Sequence, residues 1–306
     1  LEGGFSKRGW DGDSLAPEIK GNFTKVTIHA KGKKGEINIG FRYVDTDFRS
    51  IGAQTRRIEY NNTTTTYPYY SNDYTQRKVS LLDMMSDPNL YNQNLSTSLM
   101  TYNPMYSSVS PYGDATPNRI GLTAEIDNLD ITNFLSTKVQ TQYFSEIIGQ
   151  GTTHKRSFNR SALHSLLFLD KILSLNKSII LEGSINLETV KRDGDDFEKI
   201  DFNSILYSGS ISYELIKNLK IIAGAKVFYV EGNEFLAERD MYDQINDYSN
   251  NIYDSKETIL IGGLQHHFTD DIYFTMQYNQ FNVLDKTNTH DEFSLGRLIF
   301  MFNMNL

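Results

Sequence analysis

The stretch from Lys177 to Val190, KSIILEGSINLETV, decides the fold class. Ile179, Leu181, Gly183, Ile185 and Leu187 alternate with Ser178, Glu182, Ser184, Asn186 and Glu188. Successive side chains of a β-strand point to opposite faces, so a residue-by-residue beat of this kind reads as a strand with one apolar and one polar face. The beat continues downstream. Ile205, Tyr207, Gly209, Ile211, Tyr213 and Leu215 oppose Ser204, Ser208, Ser210, Ser212 and Glu214, and Leu219, Ile221, Ala223, Ala225, Val227 and Tyr229 oppose Lys220, Gly224 and Lys226. Globular strands commonly run ~5–6 residues. These segments are longer, and a strand needs ~9–11 residues to cross a bilayer's hydrocarbon at a tilt.

Working outward, about eleven strands can be placed, at roughly 22–31, 36–44, 119–129, 132–146, 156–171, 177–191, 200–215, 219–231, 256–268, 271–284 and 293–306. In 156–171, Ala162, Leu163, Leu166, Leu167 and Leu169 would also fit the apolar side of a short helix. Connections alternate in length. Asp127–Asp130, Ser174–Lys177, Ile216–Asn218 and Thr269–Asp271 read as tight turns. Gly149–Lys155, Lys191–Glu198, Gly232–Ser255 and Asp285–Glu292 read as longer polar loops.

Composition narrows the class. With 18 Phe and 19 Tyr the chain is too aromatic for a disordered one. A net charge of −8 argues against a nucleic-acid partner, because phosphate binding needs a basic field. The absence of cysteine removes disulfides, thiolate zinc sites and iron–sulfur sites. No stretch reaches the ~18 uncharged apolar residues of a spanning helix.

Long alternating strands with short turns on one side and long loops on the other resemble the Gram-negative outer-membrane β-barrel proteins, over about 22–44 and 119–306. The most specific element is the last strand, where Leu298, Phe300, Phe302, Met304 and Leu306 form an unbroken apolar face. In that family such a strand is the signal read by the barrel-assembly machinery, although the usual terminal aromatic is Leu306 here. The resemblance implies an all-β, antiparallel transmembrane barrel spanning 1–306 as one unit. On that resemblance the chain is expected in the bacterial outer membrane among lipid and lipopolysaccharide, with its C-terminus at the periplasmic rim. A soluble β-sandwich also alternates, but with shorter strands and more Pro-marked turns than six prolines provide. Bacterial single-chain barrels have even strand counts, so about eleven strands imply one more rising strand, missing before Leu1 or surviving only as Leu1 to Phe5, and a complete barrel of about twelve to sixteen. The chain is then expected to be the C-terminal part of a larger barrel, with residues 6–18 as an extracellular loop.

Asp45 to Asn118 is a long extracellular loop, and loops above ~12–15 residues are usually functional or disordered. Two functional readings stand beside a plain solvated loop. It folds into the lumen and constricts it, or it projects and binds a partner through its tyrosines. Candidate residues for either role are Arg49, Arg56, Arg57, Arg77, Tyr69, Tyr70, Tyr102 and Tyr112. Its basic residues could set a field across a lumen lined by Glu125, Lys138, Glu182, Glu188, Glu214 and Lys226, as charged rings do in selective channels. The simpler alternative is that lumen charges pair with one another and hydrate a polar interior.

No chemistry-bearing motif appears. HExxH, GxSxG, Walker and dinucleotide fingerprints are absent. His266 and His267 are adjacent in a strand and point to opposite faces. Asp193-Gly194-Asp195-Asp196 lacks the calcium-loop pattern. No metal site, cofactor or catalytic residue is expected. An outer-membrane hydrolase using His154 or His290 is the weakest reading. The two stronger ones are a non-catalytic barrel subunit of an envelope assembly, secretion or transport complex, and a porin-like or gated diffusion channel. Other envelope proteins are the expected partners.

Overall fold

The computed structural model describes residues 1–8, 18–48, 108–111, 113–239, 245–269, 271–287 and 291–304. Twelve strands lie in one antiparallel sheet in sequence order: β1 (Glu2–Arg8), β2 (Ile19–Lys31), β3 (Glu36–Val44), β4 (Arg119–Thr132), β5 (Leu135–Ser145), β6 (Ser157–Phe168), β7 (Ile179–Arg192), β8 (Ile200–Ile216), β9 (Leu219–Arg239), β10 (Ile245–His267), β11 (Ile272–Asp285) and β12 (Asp291–Met304). One short helix, α1 (Leu169–Leu173), interrupts the β6–β7 connection. Among the described residues no helix is long and apolar enough to cross a membrane, a test that does not bear on strands.

The count of eleven is therefore corrected to twelve. The added strand is β1, which pairs with β2 from Glu2↔Lys25 to Arg8↔Ile19. Its seven residues, EGGFSKR, are too short and glycine-rich to show a period. Residues 6–8, expected in a loop, belong to this strand. With β1 the count among the described residues is even, so parity among them no longer calls for a strand before Leu1.

Three further boundaries move. The turn expected at Asp127–Asp130 lies at Asn133 and Phe134, because register shifts between Ile126 and Leu129 and between Asp130 and Thr132 prolong β4. The 156–171 segment is strand to Phe168 and helix from Leu169, and the helix ends at Ser174 with φ 52°. The polar loop expected at Gly232–Ser255 is mostly a hairpin, since β9 and β10 stay paired from Gly232↔Tyr253 out to Arg239↔Ile245. Polar residues on both faces hide the alternation there. Gly232, at φ 112°, starts this extension, and a Cβ on it would lie 1.8 Å from the Asp201 carbonyl oxygen.

The β2–β3, β4–β5, β6–β7, β8–β9 and β10–β11 connections fall at one end of the sheet, all of them two to four residues except the helix-bearing β6–β7 one, and the other six fall at the opposite end, where β9–β10 and β11–β12 are joined by five residues each. Among the described residues β1 pairs only with β2 and β12 only with β11, so the sheet has two open edges.

Register fixes the two faces. Leu181 pairs with Ile211 and Ile211 with Ala223, while Glu182 pairs with Ser210 and Ser210 with Gly224. One face thus carries Ile179, Leu181, Ile185, Leu187, Ile221, Ala223, Val227, Phe300, Phe302 and Met304. The other carries Glu182, Glu188, Ser210 and Lys226. Large side chains of the first face lie open: Ile28 is 68% exposed, Leu298 57%, Phe300 58% and Phe302 64%. The second face holds the packed core. Phe144, Phe158, Val190, Phe202, Phe228, Val230, Ile259 and Phe281 are buried there, one or two to a strand from β5 to β11, toward the long-connection end.

Candidate functional site

The site is the buried end of the polar face and the chain segment laid over it. Residues 108–111 and 113–118 lie between a contact beside β7 and the start of β4, and three sets of polar contacts pin them. At β7 the Glu188 carboxylate accepts the Ser108 backbone N–H at 2.8 Å and the Val109 N–H at 3.3 Å. Val109 is fully buried in the core, and Arg119 Nε donates to its carbonyl at 3.2 Å. At β2 and β3, Asp114 receives Lys25 and Arg42. Beside β4, the Asn118 side chain accepts the N–H groups of Ile147 and Ile148 at 2.9 and 3.0 Å and donates to the Ile148 carbonyl at 2.8 Å. A segment without regular structure has no ladder for its backbone groups, so such carboxylate and amide contacts fix its path.

A charge network supports this strap. Arg156 bonds Glu146 through Nε and Nη2, both at 2.7 Å, and Glu234 through Nη1 at 3.1 Å. Glu146 also accepts the Arg156 backbone N–H at 2.9 Å. All three residues are buried. The Arg119 guanidinium lies 3.5 Å from the Phe158 ring centre and that of Arg156 lies 5.6 Å from it, placing two cations on one ring. Arg160 Nε sits 3.6 Å from Glu188 and donates to Asn186 at 2.9 Å. Above the network, the 149–155 and 193–199 connections meet where Thr152 donates to Glu198 and Arg192 donates to the Gln150 carbonyl at 3.3 Å.

Toward the short-turn end the same face is polar and partly open. Lys138 pairs with Glu125 and, at 2.7 Å, with Asp127. His164 Nε2 lies 2.8 Å from Glu182. Glu214 accepts the Ser178 N–H at 3.5 Å, and Lys226 stands opposite Ser208.

All six residues expected to line an interior thus share one face, and only Glu188 reaches the strap. Glu125 pairs with Lys138 and Glu182 with His164 within the sheet. Arg49, Arg56, Arg57, Arg77, Tyr69, Tyr70, Tyr102, Tyr112 and Leu306 lie outside the described residues, as does His290. Phe300, Phe302 and Met304 lie on the exposed apolar face of β12. His266 and His267 do take opposite faces, His266 against Phe268 and His267 against Tyr273. His154 is exposed, 3.9 Å from Glu198. Among the described residues no three His, Asp or Glu side chains are grouped to hold a metal.

Sequence reading missed Arg42, Asp114, Arg119, Glu146, Arg156 and Glu234. Glu146 and Arg156 flank one connection, which hints at a pair, whereas Arg156 and Glu234 are 78 positions apart and only the fold joins them. No protein-family model and no curated protein sequence matches this chain.

Proposed function

We propose that this chain is an integral outer-membrane β-barrel that is non-catalytic and closed at its outer end. It serves as the barrel subunit of an envelope assembly, secretion or transport complex. One observation carries the membrane reading: hydrophobic character changes face part-way along the strands. On β8, Tyr207 to Leu215 present Tyr207, Ile211, Tyr213 and Leu215 on the exposed face and Ser208, Ser210, Ser212 and Glu214 on the other, with Leu206 of that face packing against the core. Beyond them the exposed face carries Asp201 and Asn203, while Ile200 and Phe202 turn into the core. On β9, Tyr229 gives way to Glu231 and Asn233 outside as Phe228 and Val230 pack inside. A sheet wholly in water would hide its apolar face throughout. A sheet crossing a bilayer hides it only beyond the lipid, and the inverted part here matches the ~9–11 residues of a tilted crossing.

The closed outer end is supported by the buried band from Phe144 to Phe281 and by the strap pinned to Glu188 and Asp114. The gated-channel reading draws on the polar short-turn half, where Glu125, Lys138, His164 and Glu182 would line a wet lumen. The test is expression in a Gram-negative host followed by alkaline carbonate extraction, then planar-bilayer recording. Retention in the outer-membrane pellet with no steady conductance is expected. Release into the supernatant would overturn the membrane reading, and large steady channels would replace the sealed subunit by the pore.

A further inference from the structure

We infer that the two open edges are partners: β1 of this chain pairs antiparallel with the short-turn half of β12, placing Gly4 opposite Ile299, Met301 or Asn303. The inference rests on the membrane-barrel reading and goes beyond it, since an edge could equally be capped by another strand. In hydrocarbon an open edge leaves backbone N–H and C=O groups without partners, at several kcal/mol each, so some strand must cover it.

Register selects β1. A rung of directly paired residues that begins at Asp291 on β12 passes Asp285, Ser255, Glu188 and Thr123 and reaches Thr27 on β2. Thr27 lies two residues past Lys25, the partner of Glu2. The rung through Gly4 therefore meets β12's line four positions above Asp291, off the strand's described start. In a flat sheet the two edges would miss each other. In a cylinder they must be offset. With strands ~4.8 Å apart, a rise of ~3.4 Å per residue and a tilt of 35–45°, twelve strands close with a slide of roughly 12–17 residues.

The slide must also be even, because polar-face residues have to meet polar-face residues. Even slides of about 12, 14 and 16 carry Gly4 to Ile299, Met301 and Asn303. All three share the face of Gly4, through Gln277, Thr275 and Tyr273 on one side and Phe23 on the other. The opposite slide leaves β12 altogether. Strand direction agrees, since β1 runs away from the short-turn end and β12 toward it. Side chains agree as well. Phe5, 81% exposed, falls beside Leu298, Phe300 or Phe302 in the three registers and joins their apolar face.

Cysteine pairs test this directly, because the chain has no cysteine of its own. Gly4→Cys is combined in turn with Ile299→Cys, Met301→Cys and Asn303→Cys in the full chain. A side chain at Gly4 meets nothing closer than 4.0 Å. Met276→Cys with Phe300→Cys, partners on β11 and β12, is the positive control. After oxidation in the membrane, one Gly4 pair is expected to give a monomeric crosslink as complete as the control, identified by its disulfide-linked peptides. If the control crosslinks and none of the three pairs does, or if they give only disulfide-linked dimers, the closure is wrong. Chain still retained in the carbonate-washed pellet then shows that the membrane reading survives it. Loss of the unmodified chain from that pellet is the separate failure of the membrane reading.

Discussion

The two halves of β8 follow opposite rules. In the half nearer the short turns, isoleucine, tyrosine and leucine face outward and Ser208, Ser210 and Ser212 lie on the other face, leaving a contiguous apolar patch exposed. In the half nearer the long connections, Asp201 and Asn203 face outward and Ile200 and Phe202 are buried, the ordinary pattern. The same reversal occurs on β7 between Leu187 and Val190 and on β9 between Tyr229 and Val230. On the proposed membrane reading, one continuous sheet meets lipid along one half and water along the other. The difference teaches where each kind of substitution should hurt.

The largest effect is expected in the water-side half at Arg156. Arg156→Ala would leave Glu146 and Glu234 buried without their shared cation, and breaking a buried pair in this way costs roughly 3–5 kcal/mol. Urea titration of the refolded protein in detergent or lipid should show a lower midpoint with an unchanged slope. A cost near zero would mean that the network is open to water and that this half does not have a protein-like interior.

The lipid-side half is probed by one arginine on each face. Ala223→Arg on the apolar face should cost ~2–4 kcal/mol near the bilayer midplane, and Ser210→Arg on the polar face far less. The two sites lie one position off the same rung, as Ser210 pairs with Gly224 and Ala223 with Ile211, so depth is nearly matched. Equal costs would abolish the contrast between faces on which the membrane reading depends.

Glu188 sits where the halves meet. Glu188→Ala removes the acceptor of two backbone N–H groups and the neighbour of Arg160, with an expected cost of about 1–3 kcal/mol. Amide hydrogen exchange at Ser108 and Val109 should speed up while exchange in β7 and β8 holds. If the strap seals the outer end, the same variant should also raise conductance in planar bilayers. Unchanged exchange at both amides would show that Glu188 does not hold the strap.

Much of the lipid-side half was legible in the sequence, and much of the water-side half was not. Ile179 through Leu187 show their alternation directly because one face is apolar and the other polar along the whole run. Phe202, Phe228 and Val230 also alternate, but in the opposite phase. A reading that keeps one phase along a strand passes over them, although the switch is visible in Phe202-Asn203 and Val230-Glu231 once looked for. β1 and the β9–β10 extension were lost for another reason: neither has a one-sided apolar pattern, and their strand character comes from the neighbour each pairs with. The charge network was least legible. Arg156, Glu146 and Glu234 are brought together only by strand order and register, and no local spacing marks such a triad.

The smallest expected effect lies at the water-exposed rim and depends on pH. Glu198, in the β7–β8 connection, accepts the Thr152 hydroxyl, then the Asp195 backbone N–H at 3.3 Å, and has His154 nearby. These contacts, the Thr152 bond foremost, hold its carboxyl below the ordinary carboxylate range. A carboxyl whose pKa is lower folded than unfolded adds stability that is complete above the unfolded value and is lost as pH falls through the folded one. The link between the 149–155 and 193–199 connections should therefore be constant from neutral pH down to about pH 5 and loosen only below the ordinary carboxylate range. Limited proteolysis of these two connections across that pH series is the measurement, with Glu198→Gln expected to flatten the acid limb. Loosening that sets in between pH 7 and 6 instead would show that the Glu198 carboxylate does not hold the link. β12 and the apolar face should not respond, since Glu198 stands in the β7–β8 connection, beyond the reversal.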